Sequence, residues 1–219
     1  MPTAADDYPG AEQFLPPRLS LAALRDASLE CRGCPLYRHA TQTVFGEGRS
    51  PSPLFLVGEQ PGNDEDLAGK PFVGPSGRLL DEALERAGIA RGDAYVTNVV
   101  KHFKFELRGK RRIHKKPGAR EIRACIPWLV AEVTVVRPQV LVCLGATAAQ
   151  AILGADFRVS VRRGEVVATD LAPQAVATVH PSSILRQPTP EARAREMDQF
   201  VADIGVAAKL LDGRRPKPT

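Results

Sequence analysis

Short apolar runs alternate with longer stretches of helical periodicity along this chain, and that alternation limits the fold more than any other feature. Residues 53–58 (PLFLVG), 95–100 (YVTNVV), 140–145 (VLVCLG) and 175–179 (AVATV) are apolar runs of strand length. Between and around them, residues 19–29, 76–87, 119–136, 146–153 and 191–211 place apolar side chains at helical spacing. Ser20 is a natural N-cap for the first helix, and Gly88 a natural stop after the second. Residues 164–168 read as a lesser strand. Alternation of this kind predicts an α/β fold, a three-layer α/β/α sandwich around a central, mainly parallel four-stranded sheet.

In such a sheet, ligands sit beyond the carboxyl ends of the strands. Three strands here run into polar or glycine-bearing sequences: GEQPGNDED after the first, KHFKF after the second and HPSSILR after the fourth. All three are expected at one edge of the sheet, where the active site should lie.

Charge points to the partner. Between Lys101 and Lys116 the chain carries eight basic residues against one acid, Glu106, and the rest holds 22 basic and 24 acidic residues. One segment therefore makes the protein basic, with a formal net charge of +5. A concentrated basic patch fits a polyanion, although a solvated charged loop has the same composition. With 219 residues, 43% of them hydrophobic and 25% charged, bulk disorder and a disulfide-dense scaffold are excluded. No apolar run approaches the roughly 20 residues of a membrane span, and the acidic start MPTAADDYPG is unlike a signal peptide, so a cytoplasmic location is expected. Residues 1–16 and 212–219 read as flexible tails around a single domain over 17–211.

Individual motifs carry chemistry only in combination. Glycines in Gly58-Glu59-Gln60-Pro61-Gly62 let a ligand approach the backbone, while Glu59 and Gln60 bring a carboxylate and an amide to the same turn; a surface turn has the same composition. Phe72 precedes a helix among prolines and glycines, a setting that suits a core side chain equally well. Asn98 interrupts an apolar strand, where a buried amide needs partners and offers both a donor and an acceptor. His180 stands at a strand's carboxyl end beside Ser182, Ser183 and Arg186.

Together, GEQPG, PFVGPSGRLLD, TNVVKHFKF and HPSSILR resemble the uracil-DNA glycosylase superfamily. CRGCPLY and ACIPWL are similar to its iron-sulfur, family 4-like branch, and Lys110-Arg111-Arg112-Ile113-His114 looks like the UdgX-type proteins, which attach covalently to uracil-containing DNA. The resemblance implies recognition, flipping and excision of uracil in DNA repair. Gly58, Gln60, Phe72, Asn98 and His180 are then the uracil-binding residues, with Phe72 stacking on the base and Asn98 reading its edge. His180 stabilises the departing uracil anion, and Glu59 and Gln60 assist catalysis. His114 attacks C1′ of the sugar and ends the reaction as a single-turnover adduct; on residues alone, a phosphate contact is the plainer role for this histidine. Lys110, Arg111, Arg112, Ser182, Ser183 and Arg186 are the implied DNA contacts. The partner is uracil-containing DNA, single strands included, and a monomer is expected.

Cysteine usage agrees with an intracellular metal site over a disulfide. Four thiols are present, at Cys31, Cys34, Cys125 and Cys143, and a plain count would place all four around one metal. The family pattern departs from that count, because Lys101-His102 stands where the branch has Lys-Cys. It implies Cys31, Cys34, His102 and Cys125 as ligands of a structural [4Fe-4S] cluster and leaves Cys143 in the core; the same donor set also suits zinc. No nucleotide cofactor or catalytic metal is implied. A conventional multi-turnover glycosylase and a non-catalytic DNA-binding protein are the alternative functions.

Overall fold

The computed structural model describes residues 8–213. In chain order its elements are α1 (Leu21–Ser28), β1 (Leu54–Gly58), α2 (Asn63–Ala68), α3 (Pro75–Arg86), β2 (Ala94–Asn98), β3 (Phe105–Arg108) and β4 (Arg111–His114). They continue with α4 (Ala119–Val136), β5 (Val140–Leu144), α5 (Ala146–Leu153), α6 (Val159–Arg162), β6 (Val166–Thr169), β7 (Ala172–Thr178), α7 (Pro181–Leu185) and α8 (Pro190–Asp212). The central sheet has the order β2-β1-β5-β7-β6. Its first four strands are parallel, and β6 pairs antiparallel with β7 at the edge.

Strand alternation supplies two faces to cover. Phe55, Val57, Tyr95, Leu141 and Cys143 enter a core with Trp128 and Leu129 of α4 and Ala148 and Ala149 of α5. Leu54, Leu56, Val96, Val140 and Val142 enter a second core with Leu80 and Leu84 of α3 and Phe200 and Ile204 of α8. Helices thus lie on both faces, giving the expected three layers. Ser20 does cap α1, accepting from the backbone N–H of Ala23 at 3.1 Å, and Thr189 caps α8 in the same way.

Three readings of the sequence are corrected. The sheet has five strands, because residues 166–169 pair with β7; being short and alternately exposed at an edge, they carry a weak apolar signal. The stretch after KHFKF, whose composition also suits a solvated charged loop, is a hairpin in which Phe105 faces His114 and Leu107 faces Arg112, with Gly109 at φ +60° in its two-residue turn. The expected N-terminal tail meets packing before residue 17. Ala11 is buried, and the N–H groups of Gly10 and Ala11 donate to the Gly33 and Ala124 carbonyls. Residues 1–7 and 214–219 of the two tails lie outside the described residues.

Candidate functional site

The carboxyl ends of β1, β2, β5 and β7 open into a cavity of about 930 Å³, large enough for a nucleotide. Glu59, Gln60, Phe72, Asn98, His114 and His180 all line it. The three polar strand exits therefore meet at one edge, and the hairpin adds a fourth wall.

Asn98 ends β2 opposite Gly58 in register. Its side chain is buried and, among the described residues, its Oδ1 has no hydrogen-bond partner. A buried acceptor without a partner is costly, and one lining a cavity is ready for a ligand's N–H. Gly58 makes the arrangement possible. A Cβ there would stand 2.3 Å from Asn98 Oδ1 and 2.7 Å from Phe72 Cζ. Phe72 itself adopts φ +57°, a conformation rare for a side chain of that size. Gly77 is required beneath it, since a Cβ there would fall 1.7 Å from the Phe72 carbonyl oxygen. Glu65 ties this loop to the first turn, accepting from Gly62 N–H at 3.0 Å and Gly74 N–H at 2.8 Å.

His180 is fixed in one tautomer by its neighbours. Its Nδ1 accepts from the Ser182 backbone N–H at 3.1 Å and lies 2.9 Å from the Ser182 hydroxyl, which itself accepts from Arg186 at 2.9 Å. The ring proton is left on Nε2, a donor. Burial first, then Arg186 and His114, push its pKa down to about 4, so the imidazole is neutral at ordinary pH. Ser182 and Arg186 are thus engaged with His180, and Ser183 donates to the His180 carbonyl.

Glu59 places one carboxylate oxygen on the Thr147 hydroxyl and the other 3.4 Å from His114 Nε2. Thr147, on α5, carries no mark in the sequence, because an Ala-rich helix gives a single threonine no distinction. Gln60 is oriented by backbone alone. Its Oε1 accepts from Lys104 N–H at 3.1 Å, so its amide nitrogen donates to the Lys104 and Lys115 carbonyls and faces His114 Nε2 at 2.9 Å. Those two carbonyls engage both amide protons, and His114 Nε2 stands between this nitrogen and the Glu59 carboxylate.

Lys110 and Arg111 project from the hairpin into solvent. Arg112 differs from the solvent-facing role expected of it. Its guanidinium pairs with Asp66 at 2.6 Å, donates to Asn63 at 2.8 Å and Thr41 at 3.1 Å, and lies over the Phe103 and Phe105 rings. It clamps the hairpin to α2, which holds His114 at the cavity.

Cys31, Cys34 and Cys125 are buried reduced thiols on the α1–α4 side of the sheet. Burial raises Cys34 to about 11 and Cys125 to about 12, and the Cys31 sulfur adds to both shifts. Cys31 Sγ accepts from the Trp128 indole at 3.2 Å, and Cys125 Sγ from Lys101 N–H at 3.3 Å. His102 Nε2 lies 3.0 Å from Thr43 Oγ1, whose own proton goes to the Ser28 carbonyl at 2.8 Å. His102 therefore donates from Nε2 and keeps its Nδ1 lone pair. Cys143 stands apart, within β5 in the core. Among the described residues, no three His, Cys, Asp or Glu side chains are gathered closely enough to hold a single metal ion, and no helix is long and apolar enough to cross a membrane.

Residues 45–205 match the family model of the Uracil DNA glycosylase superfamily. The chain is 33% identical to the type-4 uracil-DNA glycosylase of Pyrobaculum aerophilum, covering 78% of this chain and 87% of that one. It is 36% identical to the type-4 enzyme of Archaeoglobus fulgidus, over 86% and 92% of the two chains, and 36% identical to that of Thermotoga maritima, over 75% and 82%. With a matching fold, a cavity at the strand ends and this extent of similarity, the chain belongs to the uracil-DNA glycosylase superfamily.

Proposed function

We propose that the protein excises uracil from DNA and that His114 then captures the sugar it leaves behind. The orphaned Asn98 Oδ1 is the observation that carries base recognition. Uracil has an N–H on the edge that this acceptor would read, and Phe72 offers a ring beside the same position. Cleavage of the N-glycosidic bond leaves its electron pair on uracil N1 and a cationic sugar at C1′. His180 Nε2–H is a neutral donor suited to the uracil anion, and the Glu59 carboxylate suits the sugar cation. The His114 Nε2 lone pair then bonds to C1′, and the Nδ1 proton leaves to solvent. Exposed Lys110 and Arg111 would hold the phosphates.

For the cofactor, we propose Cys31, Cys34, Cys125 and His102 as ligands of a [4Fe-4S] cluster. The donor chemistry fits: three buried reduced thiols share one region. His102 has its Nε2–H held by Thr43, as metal-bound imidazoles generally do, with Nδ1 left to coordinate. When bound, the cluster would brace the N-terminal segment against α4, and excision itself runs on the cavity's own residues.

A uracil-containing oligonucleotide, mixed with the protein and run on a denaturing gel, tests the reading. A shifted band that survives heat and detergent is expected, with the DNA remnant mapped to His114 by mass spectrometry. His114→Ala should release uracil with turnover and form no adduct. Alkali-labile sites without an adduct from the unaltered protein would refute capture and leave excision standing. Absence of both would leave a DNA-binding protein without this chemistry.

A further inference from the structure

Lys101 is a charged side chain with no exposure, although its place in the sequence makes it one more cation of the basic segment. Its ammonium donates to Glu132 at 2.5 Å, Thr97 Oγ1 at 2.6 Å and the Asn98 backbone carbonyl at 2.7 Å. Lys101 and Glu132 are both 0% exposed. Glu132 also accepts from Tyr95, Thr97 and Gly46 N–H, so its oxygens are fully used.

The position of this pair in the sheet gives it a purpose. β2 is an edge strand of the central sheet. Val96 turns its N–H and C=O outward, where Glu47 pairs with both. Two residues on, the Asn98 carbonyl faces the same open side, and the Lys101 ammonium takes it. Inward, the N–H groups of Val99 and Val100 donate to the Gly58 and Glu59 carbonyls. The residue that carries the unpartnered Oδ1 is thus held on both sides. Stability alone does not account for such a pair, because apolar residues of similar volume often stabilise a core equally well.

We propose that Lys101, anchored by Glu132, is the positioning residue for base recognition by Asn98. It stands in for the missing neighbouring strand and holds Asn98 Oδ1 at one place in the cavity. The proposal rests on the reading of Asn98 as the base-reading residue. It makes Lys101 a determinant of uracil recognition without any contact to DNA.

The test pairs two substitutions that remove both buried charges together, Lys101→Met with Glu132→Gln. Probes are a single-stranded oligonucleotide with one uracil and the same strand carrying a tetrahydrofuran abasic analogue, which has no base for Asn98 to read. Single-turnover excision should fall by roughly tenfold or more, while affinity for the abasic strand stays at the unaltered value. Introducing the pair into Asn98→Ala should produce no further loss, since a positioning residue has no effect once the group it positions is gone. Thr97→Val, isosteric and with both charges kept, should show a smaller loss of the same kind and serves if the double variant does not fold. Unchanged excision in Thr97→Val and the double variant, equal loss of abasic affinity, or additivity with Asn98→Ala would overturn the role of Lys101. If Asn98→Ala alone leaves excision untouched, the reading of Asn98 fails and this proposal falls with it.

Discussion

A single methyl group at residue 58 should separate base recognition from DNA binding. Gly58 lies in β1, so alanine is compatible with its backbone, and the difficulty is space. The new Cβ would meet Asn98 Oδ1 at 2.3 Å and Phe72 Cζ at 2.7 Å, where ordinary contacts begin near 3.4 Å. The carboxamide must therefore retreat by about 1 Å, and the Phe72 ring by somewhat less. Overpacking of this size costs about 1–3 kcal/mol, within the 5–15 kcal/mol typical of a domain, so the fold should survive. A displacement of about 1 Å at a reading group costs roughly 10²-fold in rate, or about 3 kcal/mol of barrier. Gly58→Ala should thus melt at a modestly lower temperature, bind abasic DNA normally and excise uracil about a hundredfold more slowly in single turnover. Wild-type excision by the folded variant would refute the crowding argument and the placement of base recognition at Asn98 and Phe72.

His180→Ala should slow excision by roughly 10²–10³-fold, the usual effect of losing one donor to a developing anion. Because burial holds the His180 pKa near 4, below the ordinary 6.5, its Nε2–H persists unchanged from about pH 5.5 to 8. The unfolded chain protonates first as pH falls, so this histidine's share of stability is complete above about pH 6.5 and lost towards pH 4; His180→Gln should flatten that part of the melting profile. Aerobically purified protein should be brown with about four irons per chain, reading the cluster as [4Fe-4S]. Cys125→Ala should lose the colour, His102→Ala weaken or lose it, and Cys143→Ala keep it; the opposite pattern for the last two removes His102 as a ligand. Neutralising Lys110 and Arg111 should lower the log–log salt slope of single-strand binding by about 0.7 for each phosphate they hold, whereas an unchanged slope places the DNA backbone elsewhere.

The layers of the fold were legible because burial writes itself into composition. Strands covered on both faces, such as Leu54–Gly58 and Val140–Leu144, have no polar face and appear as unbroken apolar runs. Where burial is partial the signal fades. Val166–Thr169 is half exposed at an edge, and the β3–β4 hairpin hides its alternation of Phe105 and Leu107 among charged residues. The Gly109-Lys110 turn was the available signal, since two residues led by glycine between short runs mark a hairpin. Reading the cations as a segment obscured their separate tasks.

The same limit explains which site residues were missed. Strand exits place Glu59, Asn98 and His180 at one edge by topology, so chain order alone brings them together. Thr147 and Lys101 act through side chains that meet partners 88 and 31 residues away, and no local pattern records such pairings. Arg112 and Lys101 show why charge counting fails here. Both lie in the basic segment, yet one clamps the hairpin to Asp66 and the other sits unexposed against Glu132, while Lys110 and Arg111 remain in solvent. A basic run is therefore a sum over different roles, and only the free members contribute to a salt slope. It follows that removing Arg112 should loosen His114 from the cavity more than it weakens DNA binding, because the guanidinium's bonds are internal to the protein.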